Sequence, residues 1–230
     1  MTNIKQIKLY TVDHDYGINP NPFFGYCTIG HCKPAIRKTV AKYVLNKKPD
    51  GKAEDLSIWL VGIASGNNIK FKHDCGGKVI YIMQVTEVLS YRDYWNDTRF
   101  ICKRRTNLSY NTKNISFLNC GDNIKSDVVV DCSGKAIMGK NGHVLISDNF
   151  IYWGDSCSED LGHSMYESKT GGGRYPIYLP NSKYSEKMKT IVDFITKTFG
   201  ETKHADILGK PIMSADNFNL AEAIKQGALR

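Results

Sequence analysis

Apolar residues change their spacing several times along this chain, and each change predicts an element. From Ile4 to Val12, β-branched and aromatic residues alternate in part with polar ones, the period of a strand. The segment Asp13-His-Asp-Tyr-Gly-Ile-Asn-Pro-Asn-Pro22 then interrupts regular structure with Gly and two Pro, so a loop leaves the strand end. Beyond it, Pro34 suits the first turn of a helix, and Ile36, Val40, Tyr43 and Val44 recur at helical spacing up to the turn Lys47-Lys-Pro-Asp-Gly51. Ser57-Ile-Trp-Leu-Val-Gly-Ile-Ala64 reads as a buried strand, and the β-branched run Lys78 to Val88 as one long strand. His143 to Ser147 and Phe150 to Trp153 are two further strands flanking Asp148-Asn149, a hairpin turn. Tyr184, Met188, Ile191, Val192, Ile195 and Phe199 form a helical stripe, capped by Ser182 and stopped by Gly200. A shorter helix is expected from about Ser214 through Ala221 to Ile224.

Strands in the middle and helices toward the ends give an α+β pattern, not the regular alternation of a doubly wound sheet. The expectation is a single domain over 1–230, with a mixed central sheet, flanking helices and a helical C-terminal extension from about 181. Hydrophobic residues at 41% and charged residues at 23% supply a real core and exclude a disordered chain. The longest apolar stretches fall far short of the roughly 20 residues that cross a bilayer, and the N-terminus lacks the apolar run of a secretory signal. Cytoplasmic residence and no membrane partner are therefore expected. Seven cysteines, an odd number with no signal peptide, read as reduced thiols and not as a disulfide framework. The formal charge of +8 favours a polyanionic partner, either nucleic acid or a phosphorylated ligand.

Candidate chemistry concentrates in the first loop and the helix after it. Lys33 and Arg37 lie in or near the first helical turn, where a cation opposes the helix macrodipole at a cost of about 0.3–1 kcal/mol. A bound anion reverses that sign, and the free helix amides with these two side chains would form a phosphate site. Asn21 and Thr28 in the same stretch, and Arg174 in the amide-rich tract Thr170-Gly-Gly-Gly-Arg-Tyr-Pro176, join them as nucleotide or anion contacts. That tract lacks the Gly-x-x-x-x-Gly-Lys pattern of a P-loop, so ATP hydrolysis by that route is not expected.

Cys27 and Cys32 bracket His31, so a cysteine nucleophile with a histidine base is one reading and ordinary packing another. The same cysteines with His73 or Cys75 form only a weak zinc pattern, and neither a metal nor a cofactor is expected. Asp13 and Asp15 could position a base amino group, bind Mg²⁺ or act as a general base, or simply satisfy loop amides. Tyr94 and Trp95, beside Arg92, Asp93 and Asp97, are the candidates for stacking on a base. The run Lys103-Arg-Arg105 could contact phosphates or lie in solvent.

Several segments together resemble one family. They are Asp15-Tyr-Gly-Ile-Asn-Pro-Asn-Pro22, Tyr26-Cys-Thr-Ile-Gly-His-Cys-Lys-Pro-Ala-Ile-Arg37, Trp59-Leu-Val-Gly62, Gly121-Asp-Asn-Ile124 and His143-Val-Leu-Ile-Ser-Asp-Asn-Phe-Ile-Tyr-Trp-Gly154. In order and spacing they resemble the nucleotide modification associated domain 2 family, which implies a role on or near nucleic acid or its precursors but no particular reaction. The segment Tyr81 to Trp95 after Trp59-Leu-Val-Gly62 is also similar to PUA-like domains (EVE, ASCH, YTH). That similarity implies a partly barrel-like sheet holding an unpaired base in an aromatic pocket. The leading expectation is thus a module that recognises a (modified) nucleobase or nucleotide in DNA modification or phage defence. The alternatives are an enzyme modifying a nucleotide or base, with Asp15, Cys27 and Cys32 as its chemistry, and a protein-interaction component of such a system.

Overall fold

The computed structural model describes residues 4–12, 15, 17, 19–30, 33–64, 75–100, 103, 129–130, 136–138, 142–158, 177–178, 185–200 and 202–212, with the side chains of residues 95, 129–130, 136–138, 177–178 and 185–188 outside that description. The strands are β1 (Gln6–Val12), β2 (Cys27–Ile29), β3 (Ile58–Ala64), β4 (Val79–Gln84), β5 (Glu87–Ser90), β6 (Val129–Val130), β7 (Ala136–Met138), β8 (His143–Ser147), β9 (Phe150–Tyr152), β10 (Ile177–Tyr178) and β11 (Ala205–Ile207). The helices are α1 (Pro34–Lys47), α2 (Tyr91–Asn96) and α3 (Ser185–Phe199).

A six-stranded mixed sheet runs in the order β10-β1-β3-β4-β9-β11, and β2-β8-β5 form a second sheet. β1 pairs parallel with β3, from Gln6 opposite Ile58 to Val12 opposite Ala64, while β3, β4 and β9 are successively antiparallel. The fold is therefore α+β with a mixed sheet. The described strands close no barrel, because β10 and β11 stand at opposite edges of the large sheet.

Two expected elements resolve differently. The run from Lys78 to Val88 is two strands in two sheets, because the backbone changes partner at its centre: the Val85 amide donates to Ile58 O at 2.7 Å, and the next amide, Thr86, to Ile146 O at 2.9 Å. Nor do β8 and β9 form a hairpin. β8 pairs with β2 and β5, and β9 with β4 and β11. Ser147 Oγ accepts the Asn149 amide at 3.0 Å and donates to Asn149 O at 2.8 Å, which bends the chain from one sheet to the other. Both crossings occur at the same corner, where the Gln84 amide reaches Asn149 O.

Alternation along each strand sorts the core. Ile7, Leu9, Trp59, Val61 and Ile82 face α3, whose Ile191, Ile195 and Phe199 cover them, with Trp59 and Phe199 centroids 4.8 Å apart. Each fully buried side chain of this size contributes roughly 1.5–3 kcal/mol, so α3 is part of the core. Tyr10, Leu60, Tyr81, Met83, Phe150 and Tyr152 face the other way, against α1 and the second sheet. A third cluster, Tyr91, Tyr94, Phe100, Val144 and Ile146, packs with Tyr26. Ser182 and the short helix expected near Ser214 lie outside the described residues.

Candidate functional site

Strand register builds the site. Tyr10 stands opposite Gly62, Gly62 opposite Tyr81, and Tyr81 opposite Tyr152, so three tyrosines and one glycine form a row across the inner face of the large sheet. Gly62 leaves a gap through which the Tyr10 and Tyr81 hydroxyls hydrogen-bond, their rings edge-on with centroids 5.9 Å apart. A Cβ at Gly62 would fall within the Tyr81 ring's van der Waals envelope. At the far end of the row, the Tyr152 hydroxyl donates to Asp15 Oδ2 at 2.6 Å.

Asp15 is clasped from both ends of the chain. Its Oδ1 accepts the Gly17 amide at 3.2 Å, and its Oδ2 also accepts the Ile212 amide at 3.2 Å. A strap leading to Ile212 lies over this loop: the Leu208 amide donates to Tyr152 O at 2.8 Å, and the Asp155 amide to Lys210 O at 2.9 Å. The Lys210 amide returns a bond to Asp155 Oδ1 at 3.0 Å. Gly17, at φ 67°, sits under Pro211, whose Cγ would be 2.6 Å from an added Cβ, so both the left-handed backbone and the close approach require glycine there.

Asp15 is wholly buried. Burial pushes its carboxyl from the ordinary 3.8 up to about 6, against the lowering effect of the Tyr152, Ile212 and Gly17 bonds, and the charge of Asp155 pushes in the same direction as burial.

The rest of the loop is held by backbone and buried polar groups. Asn21 and Thr28 exchange two backbone hydrogen bonds of 2.9 Å. Asn21 Oδ1 accepts the Phe23 amide at 3.2 Å and the Lys103 ammonium at 3.0 Å. Lys103 also donates to Asn21 O at 2.9 Å and Tyr26 O at 2.7 Å, so its three protons have three acceptors. Burial lowers the Lys103 pKa to about 7, and its bonds make it a strut tying the two ends of the loop together, with no proton left for a phosphate. Cys27 is buried beside this strut. Burial pushes its thiol up to about 12, the Lys103 charge draws it down and Asp15 pushes it up. A thiol held at that value supplies no thiolate nucleophile near neutral pH.

Lys33 caps α1 in the left-handed region (φ 55°, ψ 53°) with no side-chain cap bond, and its Nζ lies 5.6 Å from the Tyr10 ring centroid. It thus joins the opposite end of the tyrosine row from Asp15. Arg37, expected beside it at an exposed helix start, is only 1% exposed. It shares the inward face of α1 with Val40, Ala41 and Val44, and its Nη1 donates to Tyr91 OH at 2.7 Å and His143 O at 2.8 Å. The helical phase of Arg37, three, four and seven residues before those apolar positions, was the signal for an inward side chain.

Tyr94 is buried and stacked on Phe100, with centroids 4.5 Å apart, so that face of its ring meets a core neighbour. Cys32, Arg174 and the Trp95 side chain lie outside the described residues, as do Asp13, His31, His73, Arg104 and Arg105. Among the described residues, no group of three or more His, Cys, Asp or Glu side chains could hold a metal ion. The structure thus assembles Asp15, Asn21, Cys27, Thr28 and Lys33 around one loop and one tyrosine row, and turns Arg37 and Tyr94 into the core. Tyr10, Tyr81 and Tyr152 escaped the sequence reading because their proximity depends on the pairing of three separate strands.

An α+β chain with a carboxyl sealed against a tyrosine row is the class defined by fold and site. Its sequence belongs to the nucleotide modification associated domain 2 family, whose sequence model matches residues 4–215. No curated protein and no solved structure matches the chain. Among the described residues, no helix is long and apolar enough to cross a membrane.

Proposed function

We propose that this protein recognises a nucleobase or nucleotide in a nucleotide-modification setting, with the Asp15 loop reading the base and the start of α1 facing the phosphate. The observation that carries the reading is the meeting of the Asp15 loop and the head of α1 on one tyrosine row, with Tyr152 bonded to Asp15 at one end and Lys33 Nζ 5.6 Å from the Tyr10 ring centroid at the other. Family membership supports a nucleotide-related context. Lys33, the N-cap residue of α1, whose own side chain makes no cap hydrogen bond, supports a phosphate contact at the other end of the row. The raised carboxyl pKa of Asp15 supports a second reading, proton transfer by Asp15 in a modification reaction. Cys27, a buried thiol, lends that reading no support.

Calorimetric titration with modified and unmodified mononucleotides and oligonucleotides at several salt concentrations tests the recognition reading. Binding weakened at least about tenfold by Asp15→Asn, or about 1.4 kcal/mol, is expected. No binding by the unsubstituted chain even at low salt defeats the reading. Turnover of a bound nucleotide that Asp15→Asn abolishes would select the enzymatic alternative.

A further inference from the structure

Cys75 and Cys157 pack in the same core cluster as the tyrosine row but play no part in the reading above. Cys75 precedes the turn into β4, and Cys157 closes the 3₁₀ turn Gly154–Ser156. A bridge between Val79 and Ser158, whose amide donates to Val79 O at 2.8 Å, fixes the two segments side by side. Cys157 packs against the buried cluster that contains Cys75, and Cys75 Sγ donates to the backbone O of Asp155, two residues before Cys157, at 3.4 Å. Both are free thiols, Cys75 buried and Cys157 half-buried. Cys157 holds φ 25°, a conformation that a residue with a Cβ rarely adopts.

We propose that Cys75 and Cys157 are a reversible dithiol–disulfide pair that latches the Gly154–Ser156 turn to the start of β4. The oxidant is a low-molecular-weight disulfide such as oxidised glutathione. Cys157, the reachable thiol, gives its proton to solvent and attacks one glutathione sulfur; the glutathione S–S bond breaks and the departing thiolate takes up a proton. Cys75 then gives up its proton, attacks the Cys157 sulfur of the mixed disulfide and expels the second glutathione thiol. Two protein thiols are oxidised and one glutathione disulfide is reduced to two thiols. The latch acts on the strap because Asp155, within the fastened turn, exchanges two hydrogen bonds with Lys210, and Ile212 follows directly onto Asp15.

The test equilibrates the full chain across ratios of reduced to oxidised glutathione, quenches with an alkylating agent and maps peptides without reductant. A peptide joining Cys75 to Cys157, with both thiols lost together, is expected. Cys75→Ser should halt Cys157 at the mixed disulfide, and Cys157→Ser should leave Cys75 alkylatable after denaturation. Amide exchange at Asp155 and Lys210 should slow by about tenfold in the oxidised chain, as local opening becomes rarer. The pair is overturned if the unsubstituted chain stops at the mixed disulfide, stays a dithiol at every ratio or joins Cys157 to another cysteine. Equal exchange in the two forms overturns the latch on the strap.

Discussion

Replacing Asp15 by Asn separates two opposed forces on one buried carboxyl. Three hydrogen bonds, from Gly17, Ile212 and Tyr152, favour the carboxylate, while complete burial favours the neutral acid. Burial prevails, moving the pKa from the ordinary 3.8 to about 6. The gap corresponds to about 3 kcal/mol at roughly 1.4 kcal/mol per pH unit. Its sign follows from proton counting: between pH 3.8 and about 6 the folded chain keeps a proton that the unfolded chain has released. Stability from this group is thus greatest below pH 3.8, falls as pH rises through the window, and is flat above about 6. Asn approximates the shape of the side chain and removes the titration. Urea unfolding of the original and Asp15→Asn chains, followed by tryptophan fluorescence at pH 4, 5, 6 and 7, should give a stability difference that drifts by about 2–2.5 kcal/mol against the original chain as pH rises. A pH-independent difference, or a drift of opposite sign, would show that the hydrogen bonds outweigh burial, and the reasoning about Asp15 would fail.

Gly62→Ala drives a methyl group into the Tyr81 ring and should destabilise by about 1–3 kcal/mol or more, read as a fall in melting temperature; an unchanged melting curve would remove the tyrosine row as a tight contact. Arg37→Met removes the bonds to Tyr91 OH and His143 O from a buried guanidinium, for an expected loss of about 2–4 kcal/mol in denaturant unfolding, whereas equal or higher stability would show that an apolar side chain serves as well. In a native alkylation time course resolved by peptide, Cys157 should react well before Cys27 and Cys75, since both of those are buried and burial raises both thiols; early labelling of Cys27 would contradict its sealed position.

Elements with an internal signal were legible in the sequence. Alternation marked β1, an unbroken apolar run bounded by polar residues marked β3, and Pro34 with Val40 and Val44 marked α1. Signals that depend on distant partners were not legible. Nothing between Val79 and Val88 shows that Val85 and Thr86 donate to different sheets, because both residues suit either one. Asp148-Asn149 has turn chemistry whether the flanking strands pair with each other or part company. Asp15 was singled out through its loop, but its partners Tyr152 and Ile212 come from far along the chain and left no local signal. Arg37 was located correctly and aimed wrongly: charge was weighed there before helical phase.

The bond from Ile212 to Asp15 spans 197 positions. A ribosome adding about 5–20 residues per second needs roughly 10–40 s to travel between them. Over that interval β1, β3 and β4 can already pair, since all three lie in the first part of the chain, while Asp15 waits for the last of its three donors. The β1-β3-β4 part of the sheet thus precedes the clasp in synthesis. A chain whose synthesis stops before Ile212 carries an Asp15 that lacks one of its three donors.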